Sequence, residues 1–207
     1  MLRILGRANS FNVRKVLWIC DELGIVYERE DWGRGYRSTD DPVFLDINPI
    51  GLVPAVIEDG VALRESNTIV RYLATKYGPE EMYPQGPVAR AQTEQWMDWA
   101  NYETSISLRG AFLGGQLDEA PWNNAWFIGQ GRKDITAQVG QLDGHLQNTG
   151  PYITGEHFTI GDIPIGLVVN RWFHLEMDRP DYPAVAAYYE TLSQRPPYRA
   201  HVRNGLP

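Results

Sequence analysis

Residues 48–69 read Asn48-Pro49-Ile50-Gly51-Leu52-Val53-Pro54-Ala55-Val56-Ile57-Glu58-Asp59-Gly60-Val61-Ala62-Leu63-Arg64-Glu65-Ser66-Asn67-Thr68-Ile69. Prolines and a glycine punctuate the first seven residues. Pro54 cannot donate a backbone hydrogen bond. A cis peptide is tolerable mainly before proline, and one at Val53-Pro54 makes a sharp bend. Such a bend can leave the N–H and C=O of Val53 pointing into a cleft, where a short peptide can lie as an extra strand. Alone, the step reads equally as an ordinary proline turn. Beyond it, Ala55 to Ile57 and Val61 to Leu63 flank Glu58-Asp59-Gly60, a hairpin signal. Ser66 caps a helix to Tyr77, and Gly78-Pro79 ends it. N–H groups at this helix start can hold a carboxylate, and the Ser66 hydroxyl adds a donor. Glu65 can pair with an ammonium. Together they suit the two charges of an α-amino acid end; alone, they are a capped helix with a solvated Glu.

Toward the N-terminus, residues 2–5 (Leu-Arg-Ile-Leu) suit a short strand. A helix follows over about 12–23, with Val13, Val16, Leu17, Cys20 and Leu23 spaced for one buried face. Gly24 fits its C-terminal cap. Residues 26–30 suit a second strand, and residues 31–42 are polar and loop-like. The order β-α-β-α-β-β-α in under about eighty residues matches a thioredoxin-like unit, a mixed four-stranded sheet with helices on its faces. Thioredoxin-like redox proteins place Cys-x-x-Cys where the first helix begins. Here Asn9-Ser10-Phe11-Asn12 stands there, so a sulfur would have to arrive with a ligand. A helix N-terminus and a hydroxyl can lower a thiol's pKa. Ser10 is the best hydroxyl and Asn12 offers an amide. Each could equally be a plain helix cap.

Toward the C-terminus, residues 79–87 hold three prolines and read as a linker between a first domain of residues 1–78 and an all-α second domain of residues 88–207. Helices are expected over 88–113 and about 123–148, 160–173 and 183–193. Thr159 is an N-cap candidate, with Asp162 three residues on to reach back to it, a folding element without chemistry. The 207 residues are 43% hydrophobic and 22% charged, as in ordinary globular chains. A net charge of −7 argues against a nucleic-acid or anionic-membrane surface. No run of apolar residues is long enough to span a bilayer. A single cysteine, Cys20, rules out an internal disulfide and a cysteine-based zinc site; it reads as a buried hydrophobe, and the expected compartment is the cytoplasm.

The succession Ser10, Asn48 to Pro54, Glu65-Ser66-Asn67-Thr68-Ile69 and Thr159-Ile160-Gly161-Asp162 resembles the cytosolic glutathione transferases over essentially the whole chain. The likeness is to small bacterial members with an Asn-Ser-x-Asn-Val start and a Trp-Met-Asp-Trp-Ala-Asn helix, here Asn9 to Val13 and Trp96 to Asn101. It implies an enzyme using glutathione as co-substrate and no metal. Val53 would pair its backbone with the cysteinyl part, Pro54 would be cis, and Glu65 and Ser66 would hold the γ-glutamyl end. Ser10 falls where theta- and phi-like members keep a catalytic serine. Asn12 falls where bacterial disulfide-bond oxidoreductases keep an asparagine near the sulfur. The resemblance also implies a homodimer.

The chain departs from the family's pattern at several positions. The first helix start has neither a catalytic tyrosine nor a cysteine. Thr39 and Asp40 stand where many members keep a Lys or His for the glycine carboxylate; Arg37 or Arg34 can substitute, or both are solvated loop charges. For the small electrophilic second substrate, candidates are Phe11 and, on the long helix, Tyr102, Ile106, Arg109 and Leu113. Three functions follow: conjugation or dehalogenation by the glutathione thiolate, glutathione-dependent disulfide reduction, and a non-catalytic interaction module with this fold.

Overall fold

Leu2, Ile4 and Leu5 are buried while Arg3 reaches Glu30 in an exposed pair, so the first strand, β1 (Leu2–Leu5), lies inside its sheet. The computed structural model describes all 207 residues, which divide into two units, Met1–Tyr83 with Pro196–Leu206, and Pro84–Arg195 with Pro207. The first unit continues with α1 (Phe11–Glu22), β2 (Tyr27–Glu30), α2 (Pro42–Leu45), β3 (Ala55–Glu58), β4 (Val61–Arg64) and α3 (Ser66–Tyr77). The strand order is β2-β1-β3-β4. β1 runs parallel to β2 and antiparallel to β3, and β3 and β4 form the hairpin, with Ala55 opposite Arg64 and Glu58 opposite Val61. This is the mixed four-stranded sheet expected. The turn uses Asp59 and Gly60, both at positive φ, as a tight hairpin requires.

α1 departs from the amphipathic reading. Every residue from Val13 to Cys20 is buried, Arg14, Lys15 and Trp18 included. The cause lies at the other end of the chain. A last helix, α8 (Pro196–His201), which the periodicity does not announce, packs on α1, as α3 does. Trp18 meets Tyr198 at 4.8 Å between ring centroids. Arg14 donates to the carbonyl oxygens of His201 (2.6 Å), Val202 (2.5 Å) and Leu206 (3.2 Å), satisfying acceptors that a helix end leaves free. Residues 196–206 therefore group with the first unit, a correction to the second-domain boundary drawn from the sequence.

The second unit holds α4 (Pro87–Leu108), α5 (Ala125–Thr149), α6 (Asp162–His174) and α7 (Pro183–Ser193). The expected single helix over 88–113 instead changes to a π-helical stretch over Arg109–Gly114. There the backbone of α5 comes close: a Cβ on Gly110 would sit 2.3 Å from the Phe127 carbonyl oxygen, and one on Gly131 would sit 2.6 Å from that of Ser107. Glycine at both positions lets the two backbones approach. At Thr159 the expected reach-back from Asp162 is present, but the helix starts later than a Thr159 cap implies. α6 begins at Asp162, and the fully buried Asp162 carboxylate accepts from Thr159 N (2.8 Å), Thr159 Oγ1 (3.2 Å), Ile153 N (2.8 Å) and Tyr188 Oη (2.9 Å). No helix is long and apolar enough to cross a membrane.

Candidate active site

The 48–54 segment is shaped by Asn48. This buried side chain accepts from Ile50 N (3.2 Å) and donates to the Leu52 carbonyl (2.7 Å), while the Asn48 carbonyl accepts from Gly51 N (3.0 Å). Gly51 takes a φ of 68°, which glycine adopts without strain. The Val53-Pro54 peptide is cis. The Val53 side chain packs on the core of Leu5, Trp32, Phe44 and Ala55. Pairing between β1 and β3 reaches only to Leu5 opposite Ala55, so Val53 lies beyond the ladder.

The start of α3 faces the same cleft. Glu65 has φ 67° and ψ 111°, a conformation rare for a residue with a Cβ and of the kind found at functional sites. Its side chain makes no capping bond. Ser66 is buried and donates from its hydroxyl to Asn12 Oδ1 (3.3 Å). Lys15 Nζ donates to Ser66 Oγ and Asn67 Oδ1, both at 3.4 Å. The cleft is lined by Asn12 from α1, by Asn48, Ile50, Leu52, Val53 and Pro54 from the loop, and by Arg64, Glu65 and Ser66 from the β4–α3 junction. A helix start, a hydroxyl, a carboxylate and a guanidinium thus sit beside the Val53-Pro54 backbone. That arrangement suits a short peptide carrying both charges at one end.

Ser10 occupies the cap position of α1 in extended conformation, and its carbonyl accepts from Arg14 N (2.9 Å). Its hydroxyl makes no capping bond. The plain-cap reading of Ser10 therefore loses its basis. Ser10 is not among the residues lining the 53–66 cleft, whereas Asn12 is. Arg37 is absent from that lining too. It pairs with Asp41 (Nε 3.1 Å, Nη2 3.0 Å) and lies 4.1 Å from the Trp32 ring centroid. Phe11, at the start of α1, is half-buried, with Lys15 Nζ 5.3 Å from its ring centroid. In the second unit Tyr102, Ile106 and Arg109 are exposed along the end of α4, Leu113 is half-buried, and Arg109 lies 5.2 Å from the Trp122 ring centroid. Cys20 is buried, and burial pushes its thiol far above the usual range, which leaves it inert.

Three residues of this region are absent from the sequence-based set: Arg64, Asn48 as the loop's organiser, and Lys15. For Lys15 a signal existed, since Val13-Arg14-Lys15-Val16 sets two cations inside an otherwise apolar helix.

Comparison with known proteins agrees with this arrangement. The family described as glutathione S-transferase, N-terminal domain, matches residues 5–81. Glutathione S-transferase GstB of Escherichia coli K12 is 35% identical over 96% of this chain and 96% of its own. The disulfide-bond oxidoreductase YfcG of the same strain is 29% identical over 89% of this chain and 87% of its own. A theta-class glutathione S-transferase from the citrus canker pathogen Xanthomonas axonopodis pv. citri, solved with glutathione bound, superposes with a TM-score of 0.90 at 34% identity, covering 100% of this chain and 99% of that one. On these likenesses the chain belongs to the glutathione S-transferase family.

Proposed function

We propose that the chain is a glutathione transferase that binds glutathione along Val53-Pro54 and at the start of α3, and activates its thiol for attack on a small electrophile. One observation carries this reading: Val53, Pro54, Glu65, Ser66 and Asn12 line a single cleft. The cysteinyl backbone of glutathione pairs with Val53. The γ-glutamyl carboxylate meets the N–H groups of α3 and the Ser66 hydroxyl, with the Arg64 guanidinium nearby, and Glu65 takes the ammonium. The glycine carboxylate falls to Arg37, whose exposed pair with Asp41 is weak enough to exchange. A free thiol, with a pKa of about 8.5, is mostly protonated at neutral pH. The uncapped start of α1, the free Ser10 hydroxyl and the Asn12 amide lower that value and raise the thiolate fraction. The sulfur then forms its bond to carbon as a halide or other leaving group departs with the electron pair, and the thiol proton passes to solvent. Tyr102, Ile106, Arg109 and Leu113 give the second unit a face that suits an apolar electrophile bearing an anionic group.

A second reading is glutathione-dependent disulfide reduction, in which one glutathione thiolate displaces a thiol from a mixed disulfide and leaves as glutathione disulfide. It is favoured by the place of Asn12, rather than Ser10, on the cleft wall. Turnover of a haloacetate and of a mixed disulfide, each with glutathione, separates the two. Under the first reading Ser10→Ala lowers haloacetate turnover about 100-fold. Under the second, Asn12→Ala lowers disulfide turnover by a similar factor. If neither substitution lowers either activity, the mechanism is wrong. Assembly as a homodimer belongs to the same proposal, and sedimentation equilibrium tests it.

A further inference from the structure

Lys15 is 1% exposed, in the middle of α1, and its ammonium is held by two neutral oxygens, Ser66 Oγ and Asn67 Oδ1. A buried charge with neutral partners is costly and calls for a counter-ion. The other charges around it are engaged elsewhere. On α1, Arg14 turns to the carbonyl oxygens of the C-terminal segment. Asp21, at the far end of α1, pairs with His201 of α8. Glu58 of β3 pairs with Lys76 and Tyr72 of α3. From the start of α3, the exposed Glu65 carboxylate is the charge that acts on Lys15.

Ser66 stands between Lys15 and the cleft. Its oxygen receives the Lys15 ammonium, so its own proton must be donated elsewhere. Here it goes to Asn12 Oδ1. When Lys15 is protonated, a carboxylate arriving at the start of α3 meets a hydroxyl already set as a donor, with a positive charge directly behind it. We propose that Lys15 is a positioning residue for the γ-glutamyl carboxylate, supplying through Ser66 a buried positive charge that this carboxylate completes. The inference rests on the glutathione reading and adds a residue to it. Burial lowers the Lys15 pKa to about 7 against the opposing pull of Glu65, so near neutral pH much of the free protein carries the neutral amine. An arriving carboxylate favours the ammonium. Binding therefore draws a proton onto Lys15, and affinity falls as pH rises above the free-state value.

Calorimetry with S-methylglutathione isolates this step, because that ligand has no thiol to ionise. Titrations of the full chain at about pH 7.5 in phosphate, HEPES and Tris, whose ionisation heats differ, count the protons exchanged. The wild type is expected to take up protons, to at most about one per site. Lys15→Arg stays charged throughout this range, so it binds within several-fold of wild type and takes up none. Lys15→Met loses both the uptake and roughly tenfold in affinity below neutral pH. Heat independent of buffer in the wild type, or uptake that persists in Lys15→Arg, overturns the proposal. No binding heat in the wild type at millimolar ligand overturns the glutathione reading itself. The wild type and Lys15→Arg decide the matter even if Lys15→Met fails to fold.

Discussion

The helices α3 and α6 both begin at buried polar side chains, and their starts are finished in opposite ways. At α6 the Asp162 carboxylate collects two backbone N–H groups and two hydroxyls at 2.8 to 3.2 Å, all from the second unit. Burial pushes its pKa up to about 6 while those donors pull it down. At α3 the cap residue Glu65 stays exposed in a strained conformation and makes no side-chain capping bond. Ser66 turns its hydroxyl to Asn12 rather than to the helix backbone. A helix start normally needs donors satisfied, by a cap or by a ligand. Before α6 the chain carries its own acceptor for the loop that leads in, and the first N–H groups of the helix, Asp162 N and Ile163 N, go to the carbonyls of Thr159 (3.0 Å) and Ile160 (3.4 Å), whereas the residues that open α3 line a cleft. The first is an element of stability, and on the glutathione reading proposed above the second is an element of binding.

The largest expected effect sharpens that division. Asp162→Ala removes one carboxylate and strands two buried N–H groups and the Tyr188 hydroxyl, at a cost of about 3–5 kcal/mol of folding stability. Urea unfolding measures it, and a loss under about 1 kcal/mol would show the cluster to be incidental. Ser66→Ala acts on the other side of the division. It removes a donor to a charged ligand, worth about 1.5–3 kcal/mol of glutathione affinity, or tenfold or more in Kd. Its unfolding free energy should fall by about 1 kcal/mol, well under the loss at Asp162, because the buried Lys15 amine loses one of its two acceptors while no buried backbone group loses its own. Equal losses of stability and affinity at Ser66 would break the distinction between the two helix starts.

Where local chemistry sets the structure, the sequence was readable. Glu58-Asp59-Gly60 announced the hairpin and Val53-Pro54 the bend, because each depends on residues adjacent in the chain. α7 was legible at both ends for the same reason. α2 was expected in the order of elements but not placed, because Pro42–Leu45 is too short for a period, although the Asp41 side chain caps it through Val43 N at 2.9 Å. α8 was missed as a part of the first unit because no local pattern tells which body a terminal segment joins. Its placement depends on Arg14 and Trp18, far away in the chain. The π-helical end of α4 depends on Gly110 meeting Gly131, again a contact between distant residues. In the cleft, the place of Glu65-Ser66 at a helix start was local and legible. The burial of Lys15 was not, since α1 read as one-sided until α3 and α8 were both in place. Arg37 shows the reverse case: Asp41, four residues on, pairs with it, and that spacing was visible in the sequence.

The smallest effect tests whether the α6 cluster is a network or a single bond. Tyr188→Phe removes one of four donors to Asp162 and leaves Ile153 N on the same oxygen, Oδ1. No backbone group is stranded, and the carboxylate keeps three partners. The expected loss is about 1–2 kcal/mol, the net worth of one hydrogen bond to a charged acceptor that keeps its other partners. Because burial already works against ionisation of Asp162, losing a donor also raises its pKa further above the unfolded value. A group so shifted binds its proton more tightly when folded, so stability declines as pH climbs from the unfolded carboxylate value to the folded one, and is level above it. In Tyr188→Phe that decline should extend to higher pH than in the wild type. Unfolding at a series of pH values reads it directly. An unchanged profile would mean that the backbone donors alone hold the carboxylate, and that the α6 start, like the α3 start, has a hydroxyl to spare.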